Sequence, residues 1–465
     1  MAYKKSDELH YFDLYPKVFR IGRETEIHIR PLGGREVIKP NAEIRLEICG
    51  LDGGDPDDFP ASAYFRYTTA KANEKGELTF FWTFPEEQEY FIRLVDENNR
   101  TYLQFSVFAV NDDLVGRYPF IGDLHMHTTL SDGSQVPEVV AANYRQYGYD
   151  FTVISDHRRY YPSLRAIRAY KDVPIEMTIV PGEEVHMPDV NGVHNDVHIV
   201  NFGGEYSINQ LVESTAVGEV GKALETRAIR TENVPDVMTQ EDWADLIEAK
   251  AAELSVPEKV DKIPAAMCKW VFDEIKKANG LGIFPHPRWR NNVNHVPNAL
   301  CDWLFENHVF DAFEVLGGEN YYEQNGFQTA MYYEYAAKGL RYPVVGSTDS
   351  HSSYESNANA FICETIVFAP ENERAALIDA VKGFYSVAVD TISKEFRLVG
   401  ERRFVEYGCF LLKNYFPLHD ELCYEEGRLM KQYVTGSPAE REEAAATLSA
   451  IHGRVERLRK KYFAF

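Results

Sequence analysis

Gly122-Asp123-Leu124-His125-Met126-His127-Thr128-Thr129-Leu130-Ser131-Asp132-Gly133 is the stretch on which the fold and the chemistry of this chain turn. It continues an apolar run, Phe120–Asp123, that reads as a β-strand. On extended backbone, side chains at i and i+2 point the same way. His125 and His127 can therefore reach one metal ion or two adjacent ones.

The pattern recurs downstream. Apolar runs at Phe151–Ser155, Met177–Pro181, Val197–Asn201, Leu281–Pro285, Ala312–Leu316 and Pro343–Ser347 read as six further strands, alternating with helical stretches. Ser155-Asp156-His157, Gly182-Glu183-Glu184, Pro285-His286-Pro287 and Asp349-Ser350-His351 lie at strand ends, and His198 lies in the fourth run. In a parallel barrel or an open α/β sheet the C-terminal strand ends share one face, and ligands gather there. A single strand-end histidine is usually a hydrogen-bonded structural residue, but candidate ligands at nearly every strand end point to a metal site. Imidazole and carboxylate without thiolate suit Zn, Mn or Fe. A carboxylate among several histidines can bridge two cations, which would activate water and stabilise developing charge.

Residues 1–112 read differently. Short runs at Thr25–Arg30, Glu43–Ile48, Ala63–Tyr67, Leu78–Trp82, Tyr90–Val95 and Tyr102–Val107 are separated by turn-formers such as Leu51–Pro56 and Asp96–Asn99. That spacing fits an antiparallel β-sandwich. Residues 113–395 form the expected α/β catalytic domain, with helices at Pro137–Tyr147 and Ala265–Asn279. The charge-rich segment 207–263 reads as a helical insertion able to cover the site. Residues 396–465 read as a helical C-terminal appendage, strongly helical from Ser437, where serine caps and Pro438 opens the first turn.

Composition narrows the function. Of 465 residues, 45% are hydrophobic and 26% charged, as in an ordinary globular protein, and the net charge is -23. So acidic a surface repels phosphate backbones and argues against nucleic acid as substrate. The six cysteines show no CxxC spacing, which fits reduced thiols in the cytoplasm. Residues 1–16 lack the apolar core of a signal peptide, and no run approaches the roughly 18 apolar residues of a membrane span. A small-molecule substrate is expected, with self-association through the N-terminal domain or the C-terminal helices as an option.

Taken together and in order, these motifs resemble the PHP family (polymerase and histidinol phosphatase domain), from about Gly122 to Asp390. The resemblance implies a distorted seven-stranded β/α barrel, in agreement with the seven strands counted above. It implies two or three divalent ions (Zn, Mn or Fe). His125, His127, Glu184 and Asp349 would surround one, and Asp132, His157 and His351 a second. Glu184 would bridge to a third, completed by His198 and His286. The β-rich N-terminal domain and Ser155-Asp156-His157-Arg158 look closer to the branch with carbaryl-type carbamate hydrolases.

Around these ligands stand secondary candidates. Arg158 and Arg288, and less so Arg159 and Arg290, follow ligands and could clamp a phosphate; the alternative is pairing with the abundant carboxylates. Asp156 could orient His157 or simply cap a strand end. His186 and His194 read as exposed loop histidines ahead of extra ligands or proton shuttles. His295 and His308 read as structural, and Tyr160, Tyr161, Tyr321 and Tyr322 as packing tyrosines. The leading expectation is a phosphoesterase that cleaves a small phosphorylated substrate with metal-activated hydroxide. A carbamate, ester or amide hydrolase using the same site is the alternative, and a non-catalytic metal-binding regulator a third. In the first case Arg288→Ala should nearly abolish phosphoester turnover.

Overall fold

The computed structural model describes residues 7–34, 37–52, 66–95, 101–213, 234–290, 292–318, 323–354, 361–391 and 397–465. The chain divides into two compact units. One comprises 1–118, 401–422 and 453–465; the other comprises 119–400 and 423–452. The helical C-terminal region is thus shared between them. Tyr321, Tyr322 and the expected turns at 53–56 and 96–99 lie outside the described residues.

The first unit begins with β1 (Phe12–Tyr15), β2 (Val18–Arg20), β3 (Thr25–Pro31), β4 (Glu43–Gly50), β5 (Arg66–Lys71), β6 (Leu78–Trp82), β7 (Gln88–Val95) and β8 (Thr101–Val110). The order β1-β3-β6 makes one sheet, and β2-β8-β7-β4-β5 belongs to a second. Alternation along β3 and β4 buries Ile27, Ile29, Ile44, Leu46 and Ile48 in one core shared by both sheets. The expectation of purely antiparallel pairing fails at one edge, where β2 runs parallel to β8.

In the second unit come β9 (Tyr118–Asp123), α1 (Pro137–Gln146), β10 (Phe151–Val153), α2 (Tyr161–Ala169), β11 (Thr178–Val180), β12 (Gly182–Val185) and β13 (Ile199–Phe202). After them come α3 (Gln240–Glu253), α4 (Lys262–Lys277), β14 (Leu281–Phe284), α5 (Asn298–Glu306), β15 (Ala312–Leu316), α6 (Glu323–Ala337), β16 (Val344–Gly346), β17 (Cys363–Ala369), α7 (Arg374–Lys382), β18 (Ser386–Asp390) and β19 (Arg397–Val399). All seven runs expected as strands are strands. They lie in two mixed sheets, β11-β10-β9-β17-β18-β19 and β12-β13-β14-β15-β16. Parallel order is broken in both: β13 is antiparallel to both β12 and β14, and β18 is antiparallel to both β17 and β19. Single-residue parallel bridges, Met126 to Ser350 and His157 to Glu184, link extensions of these strands. Every bridge residue is a motif residue or its neighbour.

The segment expected as an insertion is partly core. Thr239 caps α3 with a reciprocal Asp242 box, Trp243 is fully buried, and its indole donates to the Pro188 carbonyl. Trp243 packs edge-on against Trp270 of α4. Residues 214–233 lie outside the described residues.

The remaining helices are α8 (Arg402–Asn414), α9 (Phe416–Thr435), α10 (Pro438–Ile451) and α11 (Arg454–Tyr462), followed by β20 (Phe463–Ala464). Ser437 caps α10 in a box with Glu440 as expected. The helix is not continuous to the end, because Gly453 at φ +79° takes the left-handed conformation that breaks it. In the first unit β20 pairs with β2, and Tyr407 and Phe410 of α8 pack on Phe108.

At Gly427, α9 crosses α1 so closely that a Cβ would stand 2.2 Å from the Gln146 nitrogen. Gly427→Ala should therefore lower unfolding stability by about 1–3 kcal/mol by overpacking, although alanine is the better helix former. Urea denaturation would check this, and an unchanged or higher midpoint would contradict it.

Candidate metal centre

The strand ends bring the candidate ligands together. His125 and His127 project the same way from the extension of β9. Their Nε2 atoms lie 3.2 and 2.8 Å from Asp349 Oδ1, and 3.6 and 3.5 Å from Glu184 Oε2. Glu184 is the hub. Its Oε2 is also 2.5 Å from His157 Nδ1, and its Oε1 is 2.7 Å from His198 Nδ1 and 3.6 Å from His286 Nε2. Asp132 Oδ2 lies 3.5 Å from His157 Nε2 and 3.3 Å from His351 Nε2. All nine residues assigned as ligands from sequence are in this one cluster.

The cluster is graded. His125 and Glu184 are fully buried, whereas the Asp132 and His351 side chains are 48% and 41% exposed. The Asp132 side is therefore the open side.

His125 Nε2, His286 Nε2 and both carboxylate oxygens of Glu184 are buried without a hydrogen-bond partner among the described residues. Four such atoms in one cluster would be costly in a finished protein. His125 Nε2 and His286 Nε2 each stand 3.6 Å from a Glu184 oxygen, and His157 Nδ1 and His198 Nδ1 crowd the same two oxygens at 2.5 and 2.7 Å. That is the arrangement of lone pairs aimed at shared cations. Overlapping groups such as His127-Asp132-His157-His351, His125-His127-Glu184 and His125-His286-Asp349 keep their donor atoms within 4.8 Å of one another. The donors are nitrogen and oxygen only, which fits Zn, Mn or Fe.

Protonation is sorted across the cluster. Burial opposes it, but Asp349 and Glu184 raise His125 well above its usual value. His157 likewise rises to about 10 against its burial, through Glu184 and Asp132. Burial, reinforced by the His157 charge, brings His127 down to about 3; burial and neighbouring His198 do the same to His186. His198 falls to about 4, chiefly by burial. Burial would raise Glu184, yet His157, His198 and His125 hold it well below its ordinary value. His127 and His198 thus keep a free lone pair at neutral pH, and a cation would displace protons from His125 and His157.

Two buried aspartates build the loops. Asp123 accepts from the Thr348 amide at 3.0 Å and from its hydroxyl at 2.5 Å, and also from the His125 amide, so β9 and the loop carrying Asp349 are tied together. Asp156 accepts from the Thr128 amide at 2.8 Å, the Thr128 hydroxyl at 2.6 Å and the Ser131 hydroxyl at 2.5 Å. The sequence left Asp156 between orienting His157 and capping a strand end, and these bonds turn it toward the loop after β9. Its oxygens are occupied by the 128–131 loop, making it a positioning residue. Gly133 lets that loop close, since a Cβ there would lie 2.6 Å from the His127 carbonyl carbon.

The arginines separate. Arg288 donates to Met331 Sδ at 2.9 Å and to Asn298 Oδ1, so its guanidinium is engaged by α5 and α6. Arg290 pairs with Glu323 at 2.8 Å. Arg158, beside His157 at φ +61°, donates its amide to the Glu184 carbonyl, and its side chain has no hydrogen bond or ion pair among the described residues.

Sequence alone missed one residue, Glu314, and ranked a second, His186, as an exposed loop histidine ahead of an extra ligand. Glu314 of β15 is fully buried, with Oε2 3.1 Å from His125 Nδ1 and Oε1 accepting from the His286 amide at 3.2 Å. A carboxylate behind a ligating imidazole fixes its tautomer and orientation. Its signal was a lone acid in the apolar run Ala312-Phe-Glu-Val-Leu316, where carboxylates are seldom left unpaired. His186, expected on an exposed loop, lies inside the cluster, 3.5 Å from Glu184 Oε2. His194 is on the surface as expected, between Asp189 and Asp196. His295 packs at a tilt against Trp289 with ring centroids 3.7 Å apart, and Trp289 lies 5.7 Å from the His198 ring. Glu183 faces away and accepts from Ser207, Ile208 and Asn209.

No family model matches the chain, and no curated protein matches it. Solved structures with a partial likeness include a two-domain protein from Bacteroides vulgatus that contains a predicted PHP-like metal-dependent phosphoesterase. Identity to it is 17%, over 63% of this chain and 70% of that one, with a TM-score of 0.38. A provisionally assigned metal-dependent phosphoesterase of Bifidobacterium adolescentis is 18% identical over 51% of this chain and 89% of that one, at 0.32. An amidohydrolase from Chromobacterium violaceum is 18% identical over 50% and 87%, at 0.29.

Proposed function

We propose that the protein is a metal-dependent phosphoesterase of PHP type, acting on a small phosphorylated substrate. The observation that carries this reading is the convergence of five ligand imidazoles on the buried, hydrogen-bond-deprived carboxylate of Glu184, three of them also facing Asp349, together with the motif order read from sequence. A distorted barrel is part of the reading. Followed through the two single-residue bridges, β9, β10, β12, β13, β14, β15 and β16 form a cycle of seven. Its seams are the places where the ligands stand.

Two or three divalent ions held there would act as Lewis acids on the substrate's phosphoryl oxygen and activate water. The chain supplies the rest. His125 is fixed by Glu314, the 128–131 loop by Asp156, and the Asp349 loop by Asp123. The half-exposed Asp132 and His351 leave one side open to the substrate. Arg158, with its guanidinium uncommitted, would bind the phosphate charge. Among the described residues no helix is long and apolar enough to cross a membrane. The net charge of -23 favours a small substrate over nucleic acid.

A carbamate or ester hydrolase remains the second reading. It is favoured by one observation: Arg288 is engaged elsewhere, so one of the two expected phosphate clamps is gone. Hydrolysis by the metal-loaded protein of a phosphomonoester, a phosphodiester and an aryl carbamate, with His127→Ala as blank, separates the two. Phosphate release lost in the blank supports the phosphoesterase; turnover of the carbamate alone overturns it. Arg158→Ala should lower phosphoester kcat/KM about 10- to 100-fold, a loss of about 1.4–2.7 kcal/mol. Arg288→Ala should now change it only a few-fold, which replaces the near-abolition expected from sequence. The opposite ranking would return the clamp to Arg288.

A further inference from the structure

We propose that His186 is a tenth ligand of the metal centre, a donor outside the nine positions that the family motifs cover. The proposal rests on the reading of the cluster as a metal centre and adds one residue to it.

Strand register places His186 in the site. Val185 pairs with Ile199 in the antiparallel β12–β13 ladder, so continuing the ladder by one step sets His186 opposite His198. Their rings are 4.2 Å apart. Glu184 and His186 are also separated by two residues on an extended segment, the same device that aims His125 and His127 together. One short run, Glu184-Val185-His186, therefore sends a carboxylate and an imidazole to the same side.

Distances fit coordination. Two donors about 2.1 Å from one ion, at angles between octahedral and tetrahedral, stand about 3.0–3.4 Å apart. His186 Nε2 is 3.5 Å from Glu184 Oε2, close to that span, and 3.0 Å from His157 Nδ1, within hydrogen-bonding distance, so it stands where His157 Nδ1 also points. These three residues keep their donor atoms within 4.8 Å of one another. The His186 side chain is only 15% exposed.

The backbone is anchored for the task. The His186 amide donates to Asn209 Oδ1 at 3.1 Å, and Asn209 Nδ2 donates to Glu183 Oε2 at 3.0 Å. Glu183, the first acid of the Glu183-Glu184 pair, thus holds the strand end that presents His186, while Glu184 faces inward.

Geometry also limits how His157 can serve. A neutral imidazole has one lone pair, yet His157 faces Asp132 with Nε2 and the Glu184–His186 group with Nδ1. If His157 ligates on the Asp132 side, the ion beside Glu184 lacks that nitrogen. His186, next to His198, supplies the replacement.

The test uses the full chain stripped with a chelator and reloaded with Zn²⁺ or Co²⁺. Wild type, His186→Ala, His186→Asn and the exposed-histidine control His194→Ala are compared. The readouts are metal per chain, zinc affinity by competition with a chromogenic chelator, and the visible Co²⁺ spectrum. Both His186 variants are expected to lose one equivalent, or to bind the weakest ion about 10- to 100-fold less tightly, with an altered Co²⁺ spectrum. His194→Ala should match wild type. If either soluble His186 variant keeps wild-type stoichiometry, affinity and spectrum, the proposal is wrong while the metal centre stands. A wild-type chain that takes up no metal overturns both.

Discussion

Glu184→Gln should leave the fold intact and lower kcat/KM on the hydrolysed substrate by about a thousandfold or more, equivalent to roughly 4 kcal/mol. The two carboxylate oxygens face six imidazoles, and neither has a hydrogen-bond partner among the described residues. Removing any one histidine would weaken one ion. Neutralising Glu184 removes the charge that the whole cluster shares, while the amide keeps its volume. Elemental analysis after dialysis should show metal content falling along with activity. Full metal content with a thousandfold loss would assign Glu184 to catalysis rather than retention, and unchanged activity would remove it from the centre.

The same residue shows why much of the site was legible. His125, His127, Glu184 and Asp349 stand beside strands whose apolar runs are strong local signals, and strand ends gather on one face whatever the details of the sheet. Spacing of two on extended backbone is also local, so the direction of His127 followed from that of His125. His186 obeys the same rule relative to Glu184. It was misplaced because the polar segment beyond it, Met187–Val193, read as a solvent loop and masked the continuing strand register.

What failed depended on contacts between distant segments. Arg288 follows a ligand in sequence, but His286 takes φ +25° and the chain then turns toward α5 and α6, so adjacency said nothing about where the guanidinium goes. Glu314 lies 189 residues from His125, and only the folded sheet makes them partners. Asp156 looked like a companion of His157. Its actual partners are 25 and 28 residues earlier in the loop after β9. The antiparallel turn of β13 was likewise invisible, because a buried strand reads as the same apolar run in either direction.

Arg145 carries the largest stability prediction. It lies in the last turn of α1, where a cation is favourable. The side chain is fully buried. Its Nε donates to Glu426 Oε2 at 2.7 Å, and its Nη1 donates to Asp150 Oδ1 and to the Tyr149 carbonyl, both at 3.1 Å. Glu426, 281 residues away, also accepts from the Glu176 amide, so this ion pair ties residues 423–452 to α1 and the approach to β11. Arg145→Met would leave the buried carboxylates of Asp150 and Glu426 without their shared cation. The expected cost is about 3–5 kcal/mol, seen as a lower midpoint in chemical denaturation. The pair need not stabilise the fold relative to an apolar replacement, because desolvating three charges is itself costly. Arg145→Met combined with Glu426→Met should therefore recover a large part of the loss. If the double variant were as unstable as the sum of the two single ones, the two side chains would not be energetically coupled, and α9 would be held by packing at Gly427 instead.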